Sequence, residues 1–369
     1  MQTLVDEYGE DASLEMDYLG ADMDQKIQLL ASQDALPTFF QVGTPSQIIE
    51  LADAGKIVDL EPVLEELGVL DKLSPFSVDI IKGLYGGKLV GLPLEVAIEG
   101  FWYNTALFEE HGLETPETWA DLDEAAATLQ EAGIQPIATA GKAGWPVTRL
   151  VSGYIHRNVG PDALTAVRDG DAEFTDPEYL AGAEAIADFA DKGYFGEGVA
   201  ALDYDPALDL FLQGKAAIYY MGTWATAAFN DAERNQIGEE NIGFFPIPAV
   251  DGGAGNAEQT PANVGLPMAV TAKTLTPEVE QFLKYLVENY GDVAMEKLDL
   301  ITGFETDLEP KSRLVAEIAD RLDGITDAVP WFESHQSPEG TSVSQGAGGA
   351  LAAGDITAQQ FMEQVQAAQ

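Results

Sequence analysis

The sequence predicts an α/β protein of two lobes, and three observations carry that prediction. The chain has 369 residues, more than a single hydrophobic core usually serves. Strand and helix patterns alternate through its opening segments, the order that builds a sheet flanked by helices. Leu92 to Tyr103 is apolar and β-rich with no turn signal except Pro93 at its start, so it reads as one long buried strand.

The elements follow in order. Met1 to Glu10 has the spacing of the tail of an amphipathic helix, and Leu14 to Leu19 alternates apolar and polar residues as a strand does. Asp24 to Ser32 returns to helical spacing, with Ile27, Leu30 and Ala31 on one face. Leu36 to Val42 is a further strand, and Gly43 to Ser46 turns into a helix over Gln47 to Ala54. This alternation predicts a largely parallel sheet in the first lobe.

Two carboxylates, Glu95 and Glu99, interrupt the long strand. Residues i and i+2 share a face, so Glu95, Ala97, Glu99 and Phe101 lie on one side. Two unpaired buried carboxylates would be very costly, so that side is expected to meet water, a partner or a polar ligand. Asn104 begins a short helix that stops at His111 and Gly112. Thr118 can cap the next helix, Trp119 to Ala132, with Asp121 at its N3 position.

Beyond that come a strand over Pro136 to Thr139, a loop over Ala140 to Pro146 and a helical region through His156. The helix Pro177 to Lys192 is well marked: Asp176 can cap it, Pro177 fits its first turn, and Gly193 ends it. Asp209 to Trp224 reads as helix, strand and a Gly-Thr-Trp turn, and Asn241 to Pro248 as the next strand. Asp251 to Asn263 is rich in Gly, Ala and polar residues and predicts a surface loop. Val264 to Val270 reads as a return strand, followed by helices over Glu280 to Asn289, Arg313 to Leu322 and Thr357 to Ala368. Gly346 to Gly354 is read as helix or hinge.

Composition narrows function by exclusion. The formal net charge is −45, from 18 Lys and Arg against 63 Asp and Glu. Such a chain is repelled by nucleic acid and by anionic membrane surfaces. The acids run along the whole chain, which is a solvated surface or an adaptation to high salt, where counter-ions screen self-repulsion. There is no cysteine, hence no disulfide framework and no thiolate chemistry. No apolar run approaches the length of a membrane span.

Three blocks of sequence resemble the sugar-type extracellular solute-binding proteins of ABC importers, the family that includes maltose-binding proteins. The first runs from Gly91, Leu92 and Pro93 through Tyr103, Asn104, Leu107, Phe108 and Gly112 to Pro116, Thr118 and Trp119. The second is Phe211 to Trp224, with Gly214, Lys215 and the Gly222-Thr223-Trp224 turn. The third is Val264 to Val270 with Ala272 to Glu278 and the helix after it. The resemblance implies a type II periplasmic-binding-protein-like fold with a ligand cleft between lobes. It implies residues 1–98 plus 266–308 as the first lobe and 99–265 plus 309–369 as the second, with hinges near 95–104, 262–268 and 303–312. Family members begin with a strand that has no counterpart in this pattern, so the first-lobe sheet is expected to miss a strand or expose an edge. Met1 leads straight into Asp6 and Glu7 with no secretory signal and no lipid-anchor cysteine. The resemblance therefore implies a removed signal and an extracytoplasmic place, periplasmic or at the cell surface. Its other implications are a monomer without cofactor or metal, a carbohydrate ligand, permease subunits as partners, and no catalysis.

Sugars present apolar C–H faces and polar rims, so their sites join aromatic platforms to carboxylates, amides and hydroxyls. Trp224, in a turn just after a strand, is at a site position, where the family places a stacking tryptophan. Trp145 lies in a Gly-flanked loop with no regular face to bury and reads as a second platform. Trp331 lines the cleft from the tail or packs there. Glu95 and Glu99 bind sugar hydroxyls or pair with lysines at the hinge. Asp22 and Gln41 stand where the family makes first-lobe polar contacts. Trp102, facing away from Glu95 and Glu99, and Trp119, at a helix start, read as packing residues. The function read from all this is capture of a mono- or oligosaccharide by hinge closure, ligand shifting an open–closed equilibrium.

Other chemistries fit poorly. Glu95 and Glu99 sit about 13 Å apart along a strand, whereas a glycoside hydrolase pair needs roughly 5–9.5 Å. His111, His156 and His335 are dispersed, and there is no P-loop, GxGxxG or GxSxG motif. A polyamine-type ligand would call for four or more acidic pocket residues.

Overall fold

A computed structural model of the chain describes residues 1–9, 13, 15, 23–41, 45–325 and 327–369. It divides into two compact units, Met1–Ala97 with Asn263–Ala319 and Ile98–Ala262 with Asp320–Gln369. The last passage from one unit to the other thus falls later than the expected 303–312.

Unit 1 opens with α1 (Gln2–Tyr8), α2 (Met23–Ser32), β1 (Phe39–Gln41), α3 (Pro45–Asp53), α4 (Leu60–Leu67) and α5 (Pro75–Leu84). The Asp59 side chain accepts from the Glu61 N–H to start α4, and Gly68 in the left-handed region ends it. The strand expected over Leu14 to Leu19 and the turn at 43–46 fall largely outside the described residues.

Unit 2 continues with β2 (Ala97–Asn104), α6 (Thr105–Glu110), α7 (Trp119–Glu131), β3 (Gln135–Ala138), α8 (Trp145–Val159), α9 (Ala163–Asp169), α10 (Pro177–Asp191), α11 (Tyr204–Leu212), β4 (Ala216–Gly222), α12 (Thr226–Phe229), β5 (Ile242–Phe245) and β6 (Gln259–Asn263). The chain then gives β7 (Met268–Val270) and α13 (Pro277–Leu298), and ends with α14 (Arg313–Leu322), β8 (Asp327–Val329), α15 (Pro338–Ala352) and α16 (Ala358–Ala367).

Several expectations need correction. The long strand is shorter than predicted: only Ala97 to Asn104 pairs as a strand, because Pro93 and the single bridge from Leu92 to Met268 keep the preceding residues out of a ladder. Among the described residues unit 1 holds a two-stranded antiparallel sheet, β1 with β7, not a largely parallel one. The loop expected over Asp251 to Asn263 contains β6, which runs parallel to β8. Asp176 precedes α10 but makes no capping bond to it; its carboxylate accepts from the Glu173 N–H instead. Gly346 to Gly354 belongs largely to α15, where glycines let backbones approach. Thr118 and Asp121 do form the reciprocal capping box on α7.

The sheet of unit 2 runs β3-β4-β2-β6-β8, with β5 also on β2. Phe101 pairs across to Tyr220 and to Phe245, and its ring stacks on Phe245 at 5.2 Å and 13°. Leu122 of α7, Val151 and Ile155 of α8, Ile186 of α10, Leu351 of α15 and Phe361 of α16 share one core with Phe101, Ile218 and Tyr220 of that sheet. Trp102 is fully buried on the other face, donating its indole N–H to the Met221 carbonyl. Trp119 packs edge-on to Tyr154 and flat on Phe189.

Candidate functional site

The site of unit 2 is organised by the first turn of α8. Gly144 precedes it with φ 74°, a conformation that L side chains rarely adopt. A Cβ there would also lie 1.9 Å from the Gln345 carbonyl oxygen of α15, and one on Gly349 would lie 2.3 Å from the Gly141 carbonyl oxygen. Glycines on both sides therefore set the helix start hard against α15. Trp145 is the first residue of the helix, not a loop residue as expected, and Thr148 and Arg149 follow on the same face at i+3 and i+4.

Trp145 stays partly exposed. Its ring lies 6.2 Å from Tyr204 at 29° and 6.0 Å from Trp224 at 54°. Trp224 stands just past β4, and its six-membered ring folds over Gly222, where a Cβ would come within 2.0–2.4 Å of it. The Gly-x-Trp spacing thus has a steric cause. Trp331 joins through Arg149, whose guanidinium carbon lies 4.4 Å from the Trp145 ring centre and 4.1 Å from that of Trp331.

That guanidinium carries the charge logic of the site. Its Nη1 donates to Glu99 Oε1 at 2.6 Å, and its Nε lies 3.6 Å from Glu333 Oε2, an ion pair longer than a hydrogen bond. Glu99 Oε2 accepts from the Tyr220 hydroxyl at 2.9 Å, and Glu333 Oε1 accepts from the Thr148 hydroxyl. Glu99 is fully buried, so the expectation that its side of the strand meets water, a ligand or lysine is corrected: an arginine and a tyrosine pair with it. Burial pushes its carboxyl up, while the Arg149 charge and the tyrosine bond pull it back. Burial first, then the Glu99 charge, raises Tyr220 well above the ordinary tyrosine value. Arg149 Nε, Glu333 Oε2 and Trp331 Nε1 are buried and find no hydrogen-bond partner within the protein.

The structure therefore gathers Trp145, Trp331 and Glu99 around Arg149, with Trp224 against Trp145. Gln41 and Glu95 belong to unit 1, where both flank the Gly265 turn. Gln41 donates to the Leu266 carbonyl at 3.4 Å, and a Cβ on Gly265 would lie 3.3 Å from that of Glu95. Burial pushes the Glu95 carboxyl up, and its charge helps burial raise Tyr290 to about 12. Asp22 lies outside the described residues. Sequence reasoning missed Arg149, Glu333, Tyr220, Thr148 and Tyr204. Arg149 alone left a signal, a cation in an apolar helical stretch of a chain with few cations.

Among the described residues no three His, Cys, Asp or Glu side chains converge to hold a metal ion, and no helix is long and apolar enough to cross a membrane.

Residues 2–291 match the family described as bacterial extracellular solute-binding protein. An uncharacterized ABC transporter extracellular-binding protein of Pyrococcus horikoshii is 30% identical over 214 residues, covering 55% of this chain and 46% of its own. A multiple sugar-binding protein of Streptococcus mutans is 27% identical over 217 residues, covering 56% and 50%. The chain thus spans about half the length of the curated relatives it matches. Among solved structures, a chitin oligosaccharide binding protein superposes with a TM-score of 0.87 over 99% of this chain and 92% of its own, at 24% identity. Likeness at that level shows the fold, the two-lobed α/β fold of type II solute-binding proteins.

Proposed function

The chain belongs to the bacterial extracellular solute-binding proteins, and from that premise we propose that it captures a mono- or oligosaccharide outside the cytoplasm and delivers it to the permease subunits of an ABC importer. One observation carries the carbohydrate reading: three partly exposed tryptophans stand together, Trp145 and Trp331 flanking Arg149 and Trp224 against Trp145, beside buried polar atoms without hydrogen-bond partners at Arg149 Nε, Glu333 Oε2 and Trp331 Nε1. Flat apolar rings beside unfilled donors and acceptors suit a sugar, with its C–H faces and hydroxyl rim. The names of the Streptococcus mutans relative and the chitin oligosaccharide binding protein point the same way.

Glu99 and Glu333 are both turned to the Arg149 guanidinium, and that cation among three tryptophans, not the number of acids, speaks for a sugar over a polyamine. Glu99, fully buried and held by Arg149 and Tyr220, is poorly placed to serve as a hydrolytic acid or base, which supports a binding role. Trp145, Trp224 and Trp331 are the proposed ligand contacts of unit 2, with Glu99 acting beneath them through Arg149. Gln41 and Glu95 are proposed contacts of unit 1, and Asp22 on sequence resemblance alone. The mechanism is hinge closure by a monomer, ligand shifting the open–closed equilibrium through its differential affinity.

A thermal-shift screen against neutral sugars, polyamines and amino acids tests the reading, because a ligand bound only by the folded chain raises its melting temperature. A sugar hit is expected. Stabilisation by polyamines or amino acids alone would overturn the carbohydrate assignment.

A further inference from the structure

We propose that His156 is a positioning residue of the tryptophan site, holding the backbone turn that lays Trp331 over Arg149 through a hydrogen bond to the Pro330 carbonyl. The consequence for ligand rests on the carbohydrate reading above; the placement of Trp331 does not.

Segment 330–333 runs alongside α8 in the opposite direction. His156 Nε2 lies 3.0 Å from the Pro330 carbonyl oxygen at one end, and the Thr148 hydroxyl bonds Glu333 at the other, with Trp331 on Arg149 between them. Past Pro330 the segment turns, the Ser334 N–H donating to the Trp331 carbonyl at 3.0 Å. The helix holds the segment at two points, and only the Pro330 end fixes the backbone directly before the indole.

The C-terminal end of α8 is itself clamped, so His156 has a firm base. Arg157 Nε donates to the Ile247 carbonyl at 2.9 Å and Nη1 to the Gln259 carbonyl at 2.5 Å. Gln259 stands opposite Asp327 in the β6–β8 pairing, and β8 leads into Pro330. The loop before β6 wraps the same helix end: Gly255 N–H donates to the Arg157 carbonyl at 3.0 Å, and a Cβ on Gly255 would lie 2.1 Å from the His156 carbonyl oxygen.

His156 is 1% exposed, and its ring bonds to backbone carbonyls. Burial lowers its value to about 4, so the ring is neutral near pH 7 and carries one N–H. Both ring nitrogens face carbonyl oxygens, at 3.0 Å for Pro330 and 3.4 Å for Gly160, and the shorter contact assigns the proton to Nε2. A buried polar ring with no role would only add a desolvation cost that a leucine avoids.

The test needs no ligand. The Trp331 fluorescence component is isolated as the difference between each protein and its Trp331→Phe counterpart, and its quenching by acrylamide is measured in wild type, His156→Gln and His156→Asn. A glutamine amide reaches the Nε2 position and an asparagine amide the Nδ1 position. His156→Gln is expected to keep the quenching constant within about 1.5-fold of wild type, and His156→Asn to raise it at least about 2-fold. Equal quenching in the two variants, or no change in His156→Asn, would overturn the proposal. Urea unfolding of both variants runs alongside. If neither folds, His156 serves the whole fold and the proposal also fails. A chain that bound no sugar in the thermal screen would sink the carbohydrate reading and leave this result standing.

Discussion

Arg149 and Arg157 sit on one helix, two turns apart, and their surroundings differ in kind. Arg149 meets two carboxylates, Glu99 and Glu333, between two indole rings, with its side chain 13% exposed. Arg157 is 1% exposed and donates only to backbone carbonyls, and burial lowers its value to about 10. Arg157 Nη2, like Arg149 Nε, is buried without a partner, so the contrast lies in the bonds that are made: carbonyl partners are fixed by the fold. Side-chain partners such as Glu99 and Glu333 can be rearranged. The contrast separates an arginine that builds a site from one that builds the frame around it, although sequence alone gives both the same type and the same helix.

The largest effect should come from breaking the ionic end. Arg149→Met leaves Glu99 buried without its cation, and urea denaturation is expected to show a loss of about 3–5 kcal/mol. Adding Glu99→Gln should return much of it, because the orphaned charge is gone. Arg157→Met should find no such rescue, since no carboxylate opposes it. If Glu99→Gln fails to restore Arg149→Met, the contrast between the two arginines collapses.

Acid probes the carbonyl end. The folded value of His156 is near 4 against an ordinary 6.5, with Arg157 and His335 adding to the effect of burial. A depressed histidine favours the neutral fold, so its contribution is full above pH 6.5 and is lost as pH falls toward 4. Integrated, that is about 3 kcal/mol. Wild type minus His156→Gln, measured by urea unfolding across that window, should show the loss; parallel curves would refute it.

On the ligand side, Trp224→Ala should weaken binding of the best screened sugar by on the order of 2 kcal/mol, about 30-fold, in calorimetric titration. A ring lying over Gly222 at a partly exposed edge fills no core, so the melting temperature should hold. Unchanged affinity with a collapsed melting curve would return Trp224 to packing. Smallest is the effect of salt: at a net charge of −45, melting should rise between dilute buffer and roughly 1 M KCl, where the Debye length is about 3 Å. A flat curve would remove high-salt adaptation as the reason for the acidity.

Much of this was legible in the residues. Helices with clean periodicity, such as Trp119 to Glu131 and Pro177 to Asp191, are local in origin and appear where their signals stand, although only the first forms its expected cap. The aromatic part of the site was legible too, because Trp145 and Trp224 sit next to glycines at element ends. The ionic part was not. Glu99, Arg149 and Glu333 are far apart in the chain, and nothing local to any of them announces the others. The same holds for β6: its strand state depends on pairing with β8, so its Gly- and polar-rich neighbourhood read as loop. The Glu95 and Glu99 alternation suggested one shared polar face. The structure instead puts them in different units, Glu99 buried and Arg-paired and Glu95 partly exposed.

The glycine contacts behind Gly144 bear on how this protein can diversify. Backbone meets backbone there, and a single added methyl at Gly144 or Gly349 would collide with main-chain atoms that no rotamer change can move. On the binding role proposed above, variation that retunes ligand preference falls to the opposite side, to Trp145, Tyr204, Trp224, Trp331 and Glu333. A library randomised at those five positions should yield folded clones at high frequency. One randomised at the glycines should yield almost none, so the capacity for new specificity and the intolerance to substitution lie on opposite sides of one helix turn.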